Sequence, residues 1–384
     1  MPKRLIIIGA GPIGIEAGLA ARQCGYDVTV LESGAIADAV QRWGHVRMFS
    51  PFSMNASELG QALLRQIGRA VPEPEALLTG AEYADQYLIP MGQALGVKTG
   101  HRVKAITRDG DSKSDHILQA ERAETSFRLL VESPEGEQHA FADLVFDCTG
   151  VFSLPNPLGD GGIPALGEAS LRDVIRYGLG EVADLEASVG KRMLVVGGGH
   201  SASTLVVRLS ALEGGQVTWV NKKMGEVPCP RLTDDPLTER DRLSEVANER
   251  VACGKVTYLG GRTVHALKRE AQGVRVILRL EGGRNEEVVV DQIIAATGYR
   301  PDLSLARELQ VQTCWATEGT YPLAASLLGE AGGDCLAVPA FGADTLKHPE
   351  PGYFALGIKS YGRTPDFLIQ TGRAQVESLL QSLT

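Results

Sequence analysis

Two short glycine-rich runs are the residues most able to do chemistry here, Gly9-Ala10-Gly11-Pro12-Ile13-Gly14 and Gly197-Gly198-Gly199-His200-Ser201-Ala202. Each directly follows an apolar run that reads as a strand, Leu5 to Ile8 and Met193 to Val196. In such a turn the first glycine permits the sharp strand-to-helix bend, the second lets backbone approach a pyrophosphate, and the third lets helix pack on strand. The phosphates face unpaired N–H groups and the positive end of the helix dipole, so no basic side chain is required. Two such sites in one chain point to two dinucleotides, and a protein that holds two does so to pass electrons between them.

The strand that follows each turn separates the two ligands. Val28 to Leu31 ends in Glu32, an acceptor for ribose hydroxyls, whereas Val217 to Val220 ends in Asn221-Lys222-Lys223. A carboxylate repels a 2′-phosphate and two ammonium groups attract it, so the second site favours NADPH over NADH. Ala202 stands in place of the third glycine. Ser201 can either donate to phosphate or cap the helix. His200 lies in the phosphate turn, where an imidazole N–H contacting cofactor is favoured over proton transfer. Trp43, near Arg42, Arg47 and Phe49-Ser50-Pro51-Phe52, either walls a ring system or belongs to the core.

The elements that position these residues repeat. Residues 5 to 32 make one β-α-β unit, with Ile13, Ala17, Ala20, Ala21 and Cys24 on its helix and Gly25 ending it. From Met193 the order recurs, with Ala202, Leu205, Val206, Leu209 and Leu212 on one helical face. Both units close on an apolar strand ending in Thr-Gly, Leu144 to Thr149-Gly150 and Gln292 to Thr297-Gly298. Between turn and closing strand, Ser126 to Val131 and Val274 to Leu280 read as antiparallel hairpin inserts. The Gly/Pro-rich stretch Pro155 to Pro164 is a crossing between domains or a loop over ligand. Tyr353 to Gly357 reads as a short strand returning to the first sheet. Thr364-Pro365 predicts a capped terminal helix carrying Leu368, Ile369, Gly372, Val376, Leu379 and Leu380, its dipole directed at a redox ring.

The fold expected is thus α/β, with two Rossmann-like dinucleotide-binding domains bearing antiparallel β inserts: 1–165 the first part of one domain, 166–300 the second domain, and 301–384 the returning part of the first, which is discontinuous. The 384 residues and 43 % hydrophobic content supply ample cores. A net charge of −9 without a concentrated basic run argues against a nucleic-acid partner. The six cysteines, at 24, 148, 229, 253, 314 and 335, form no C-x-x-C pair and no metal-type cluster with histidine, so no metal is expected and a reducing compartment fits. The apolar run Leu5 to Ile8 is too short for a signal peptide, and no run approaches the roughly 18 apolar residues of a membrane span. The expected address is the cytoplasm, without membrane association.

With Ile8-Gly9-Ala10-Gly11-Pro12 and Glu32, Cys148-Thr149-Gly150, Val196 to Ala202, Ala296-Thr297-Gly298-Tyr299-Arg300-Pro301-Asp302 and the elements flanking Gly357, the chain resembles the two-dinucleotide-binding-domain flavoproteins over essentially its full length. These include thioredoxin-reductase-like enzymes and flavin-containing monooxygenases. The segments Pro155-Asn156, Gly161 to Glu168 and Lys359 to Arg363 further resemble a bacterial branch of monooxygenase-like flavoproteins. The resemblance implies FAD at the N-terminal site, held by Gly9, Gly11, Pro12, Ile13, Gly14, Glu32, Trp43, Thr149, Gly150 and Gly357. It implies NADPH at the inner site, held by Gly197, Gly199, His200, Ser201, Ala202, Asn221, Lys222, Lys223 and Gly298.

Departures narrow the activity. The nearest two cysteines, Cys314 and Cys335, are 21 residues apart, which excludes a standard dithiol relay. No histidine lies between His139 and His200, where related monooxygenases carry one soon after the first Thr-Gly. Ile358 stands where an Asp often holds the ribityl chain. The activity implied is an FAD-dependent, NADPH-consuming monooxygenase acting on a small molecule with dioxygen through a flavin C4a-peroxide, with Asn55 as candidate polar residue near the flavin. The alternatives are a reductase of a disulfide or other acceptor using a single thiol such as Cys148 or Cys335, and a non-enzymatic redox-sensing flavoprotein. Specificity is expected in residues 303–350, with Trp315, Tyr321, Cys335, Phe341 and His348.

Overall fold

Four successive apolar side chains, Leu5 to Ile8, are all buried, as a strand covered on both faces requires. The computed structural model describes residues 1–182, 184–225, 227–232, 234–329, 342–365 and 367–384; Cys335 and Phe341, named above, lie outside them. The chain divides into two units.

The first unit comprises Met1–Gln41, Ser50–Leu154 and Arg300–Thr384. Its sheet is parallel, in the order Tyr353–Ala355, Leu144–Asp147, Arg4–Ile8, Asp27–Leu31. Ile6 is aligned with Thr29 on one side and Val145 on the other, and Tyr353 with Val145. The returning strand thus joins the sheet as expected. Helix Pro12–Gln23 packs beside helix Ile369–Leu383, so closely that a Cβ on Gly372 would stand 2.6 Å from Ile13 Cδ1. An antiparallel sheet of Arg102–Arg108, Phe127–Ser133 and Gly136–Ala142 forms the insert. Phe127, Leu129 and Val131 alternate into a core shared with Ile6, Ile8 and Leu31, the period-two burial of a one-sided sheet.

The second unit comprises Arg42–Phe49 and Pro155–Tyr299. Its parallel sheet runs Val256–Gly260, Gln216–Asn221, Arg192–Val196, Gln292–Ala295, Ile175–Tyr177. Helix His200–Leu209 buries Ala202, Leu205, Val206 and Leu209 against one face. The antiparallel insert Arg262–Glu270, Gly273–Leu280 and Asn285–Val290 builds the core on the other, with Val274, Val276 and Leu278 inward. Buried Glu168 fastens the start of this unit, its carboxylate accepting from Leu158 N at 3.0 Å, Ala165 N at 2.7 Å and Tyr177 OH at 2.5 Å.

Two expectations are corrected. The terminal helix begins at Ile369, not Thr364. One long-range bond and a local turn claim the intervening chain: Arg363 N donates to Thr317 O at 2.7 Å, Thr364 N to Tyr361 O at 3.2 Å, and Gly362 takes φ +66°. Residues 358–361 form a separate short helix, so no helix dipole starts at Thr364. Cys24 is not a core residue; it is exposed, at the C-cap of the first helix. Among the described residues, no helix is long and apolar enough to cross a membrane.

Candidate functional site: two glycine turns

Each glycine of the first turn has a distinct duty. Gly9 takes φ +99°, and a Cβ there would lie 2.6 Å from Cys148 O; one on Gly14 would lie 1.9 Å from Gly9 O. At Gly11 a Cβ would meet nothing within 4 Å, so its bareness serves approach from outside rather than packing. Gly11 is also the N-cap, with no side-chain cap and Pro12 at the first position, leaving the first-turn N–H groups open to an anion. Ile13 is buried against Gly357 and Gly372, so only its backbone can serve a ligand.

Glu32 braces the turn itself, Oε2 accepting from Ala10 N at 2.8 Å and Oε1 from Gly34 N at 2.7 Å. The Thr149-Gly150 turn rests on a buried pair that sequence reasoning missed. Lys359 Nζ is 2.6 Å from Asp147 Oδ2 and 2.8 Å from Thr149 Oγ1, while Thr149 Oγ1 donates to Asp147 Oδ1 at 2.7 Å and Tyr353 OH to Oδ2 at 2.8 Å. Burial pushes the Asp147 carboxyl up, but the Lys359 ammonium and these hydrogen bonds outweigh it and hold the group below its ordinary range. A lone Asp inside an apolar strand was the available signal, because a buried charge requires a partner. Gly150 and Gly357 take φ +70° and +69°, and Gly357 N donates to buried Gln375 at 3.0 Å.

Asn55 is 3 % exposed and spends its amide on its own loop, Nδ2 donating to Ser50 O at 3.1 Å and Pro51 O at 3.0 Å. Its backbone carbonyl accepts from Tyr83 OH at 2.7 Å. This geometry organises the loop rather than presenting a reactive group.

The second turn repeats the division of labour. Gly197, at φ +146°, would place a Cβ 2.2 Å from Ala296 O, while at Gly199 a Cβ would meet nothing within 4 Å. Gly199 caps helix His200–Leu209 without any side-chain cap, so Ser201 is not the cap; its hydroxyl makes no hydrogen bond among the described residues. Ala202 is fully buried, filling the third position. Exposed His200 meets the Phe49 ring edge-on at 5.5 Å. Asn221 is buried and accepts from Lys223 N at 3.1 Å, whereas Lys222 and Lys223 are exposed, with no carboxylate partner among the described residues.

Trp43 clusters with this second unit, and its Nε1–H is buried without an acceptor. Asn156 clamps the Gly298 turn, donating to Gly298 O from its backbone at 2.9 Å and to Thr297 O from its side chain at 3.1 Å. Its Oδ1 is buried and unpartnered. Open glycines and uncapped helix starts fit two nucleotide sites.

The thiols are placed elsewhere in chemical terms. Cys148 is buried behind Gly14, and burial, helped by the neighbouring Asp147 charge, pushes its thiol far up. Burial likewise raises Cys229, against its contact with Ser203 at 3.1 Å. Cys24 and Cys253 are exposed.

Among solved structures the chain is similar to the bacillithiol disulfide reductase of Bacillus cereus, at 17 % identity and TM-score 0.72, covering 100 % of this chain and 99 % of that one. It is similar to the thioredoxin reductase of Lactococcus lactis, at 16 % and 0.64, covering 99 % and 97 %. It is also similar to the flavin-containing monooxygenase of Stenotrophomonas maltophilia, at 18 % and 0.63, covering 100 % of both. At these identities the likeness establishes the two-nucleotide fold. No curated protein matches the sequence. The model of one family, pyridine nucleotide-disulphide oxidoreductase, matches residues 6–325, and with both glycine turns inside that span the chain belongs to this family of oxidoreductases.

Proposed function

We propose that this protein is an FAD- and NADPH-dependent oxidoreductase of monooxygenase type, acting on a small-molecule substrate. The observation that carries the reading is the state of the thiols: among the described residues no two cysteines form a relay pair, and Cys148, the one beside the first glycine turn, is buried with its thiol pushed far up. Bound in these turns, FAD would accept a hydride equivalent from NADPH and pass electrons to dioxygen.

The chain's own contribution is to bind and orient. The first-turn N–H groups after Gly11 take the FAD pyrophosphate, Glu32 its ribose, and Thr149-Gly150, pinned by Lys359 and Asp147, the neighbouring backbone. The N–H groups after Gly199 take the NADPH pyrophosphate, with Lys222 and Lys223 at the 2′-phosphate. Asn55 acts as a positioning residue, holding its loop.

The test is stopped-flow mixing of flavin-loaded protein with NADPH under argon, followed by air and candidate small nucleophiles. Flavin bleaching without oxygen, then oxygen from O2 in a product, is expected. Sustained anaerobic turnover on a disulfide would replace this reading with a reductase. Failure of NADPH to bleach the flavin would leave a sensing flavoprotein.

A further inference from the structure

Within the first unit lies a cavity of about 170 Å3, remote in sequence from both glycine turns. Its mouth carries exposed Lys113 and Arg307, and its depth carries buried Thr320, Tyr353 and Lys359, with His348 between. Such a volume holds several waters or one small ion with water.

Every uncommitted polar group on the wall can donate, the hydroxyl and the imidazole being able to accept as well. Thr320 is 2 % exposed, and its hydroxyl is buried without a partner, a state that costs free energy unless something fills it. Both His348 ring nitrogens are likewise buried without a well-formed hydrogen bond, the ring interacting with the backbone of Gln312; a neutral imidazole offers one N–H and one acceptor nitrogen. Lys359 uses two of its three N–H bonds, on Asp147 and Thr149. Lys113 uses one, on Arg307 O at 2.8 Å, and the Arg307 guanidinium has no carboxylate partner among the described residues. The one wall carboxylate, Glu318, is already held by Arg300 through both oxygens. Tyr353 OH is turned to Asp147.

Lys359 is neutralised by Asp147 and Glu318 by Arg300, so two cations uncompensated among the described residues, Lys113 and Arg307, stand at the entrance, with an orphaned hydroxyl at the bottom. The two cations at the entrance repel a cationic guest and an apolar guest would strand the donors, whereas an anion satisfies both charge and hydrogen bonding. We propose that this cavity binds a small inorganic oxyanion, of sulfate size or smaller, with Thr320 and His348 as inner donors and Lys113 and Arg307 at the entrance. The cavity shares Tyr353 and Lys359 with the support of the Thr149 turn but none of the glycine-turn residues, and the proposal does not depend on the protein being a monooxygenase.

The test is calorimetric titration of flavin-loaded protein with sulfate, in chloride-free buffer at fixed ionic strength. One saturable site per chain is expected. Thr320→Val should weaken it about tenfold, as loss of one hydrogen bond does, and so should the surface pair Lys113→Gln with Arg307→Gln, which leaves the buried packing intact. A crystal grown with bromide should show an anomalous peak within hydrogen-bonding reach of Thr320. Absence of saturable heat, equal affinity in all variants, or bromide only outside the cavity would overturn the proposal and leave a water-filled void.

Discussion

Lys359 and Asp147 form an ion pair at 2.6 Å with side chains 2 % and 0 % exposed, although 212 residues separate them. The pair joins the closing strand of the first sheet to the tail and carries Thr149 between its members. Lys359→Met should therefore destabilise the protein by about 3–5 kcal/mol, because it strands a buried carboxylate. The double variant with Asp147→Asn should recover much of that loss. Urea unfolding of the three proteins measures this, and a double variant no more stable than the single one would disprove the coupling.

The same carboxyl sets an acid limit. Its folded pKa lies below the ordinary 3.8, so its stabilisation is complete above the unfolded value and is lost as pH falls through the folded one. Glu350 adds to this: burial pushes it up, but Arg122, Gln310 N and Arg108 hold it below 4.5. Unfolding free energy should fall steeply below about pH 4, and Glu350→Gln should shrink that acid slope. Unfolding curves between pH 3 and pH 6 provide the check.

Glycine substitutions should part folding from binding. Gly11→Ala and Gly199→Ala meet open space, so the melting temperature should hold while affinity for FAD or NADPH drops at least about tenfold, the loss of one charge-assisted contact. Gly9→Ala and Gly197→Ala press on backbone at positive φ and should lower stability by about 1–3 kcal/mol. Flavin content and melting curves of the four proteins decide it; an Ala at Gly11 that binds FAD normally would remove the phosphate role.

Lys222 and Lys223 are tested by exchange of coenzyme. Replacing both with Ala should lower kcat/KM for NADPH about tenfold or more, corresponding to roughly 1.4 kcal/mol, and leave NADH nearly unaffected. The NADPH advantage of the parent should shrink as salt rises. Parallel losses with both coenzymes would show that the lysines act structurally.

Cys148 should be chemically silent. At pH 8 an alkylating reagent should label exposed Cys24 and Cys253 in the native protein and spare Cys148, whose thiol stays protonated. Cys148→Ala should keep NADPH-driven flavin reduction within about threefold, a small effect on the free-energy scale of catalysis. Mass spectrometry of labelled peptides and the reduction rate read both; a flavin that no longer reduces would revive a thiol relay.

Much of this architecture was legible because parallel strands with both faces covered leave nearly continuous apolar runs, and because two glycine turns recur with matched Thr-Gly endings. The returning strand at Tyr353 could be read for the same reason. The start of the terminal helix could not. Thr364-Pro365 has the local signature of a cap, and only the long-range bond from Arg363 to Thr317 reveals that the segment is used otherwise. Position alone makes Asn55 a candidate, whereas its amide is committed to Ser50 and Pro51, local bonds that no spacing rule announces. Lys359 and Asn156 escaped because each works on a residue more than a hundred positions away. Spacing along the chain reports secondary structure well and such distant partnerships hardly at all.

The returning strand Tyr353–Ala355 also has a bearing on synthesis. Nearly all of the second unit lies between Pro155 and Tyr299, so its sheet can assemble while translation is still under way. The first unit must wait with an open edge on Leu144–Asp147 until Tyr353–Ala355 has been made. Its glycine turn precedes the second unit in the chain yet is completed only after it.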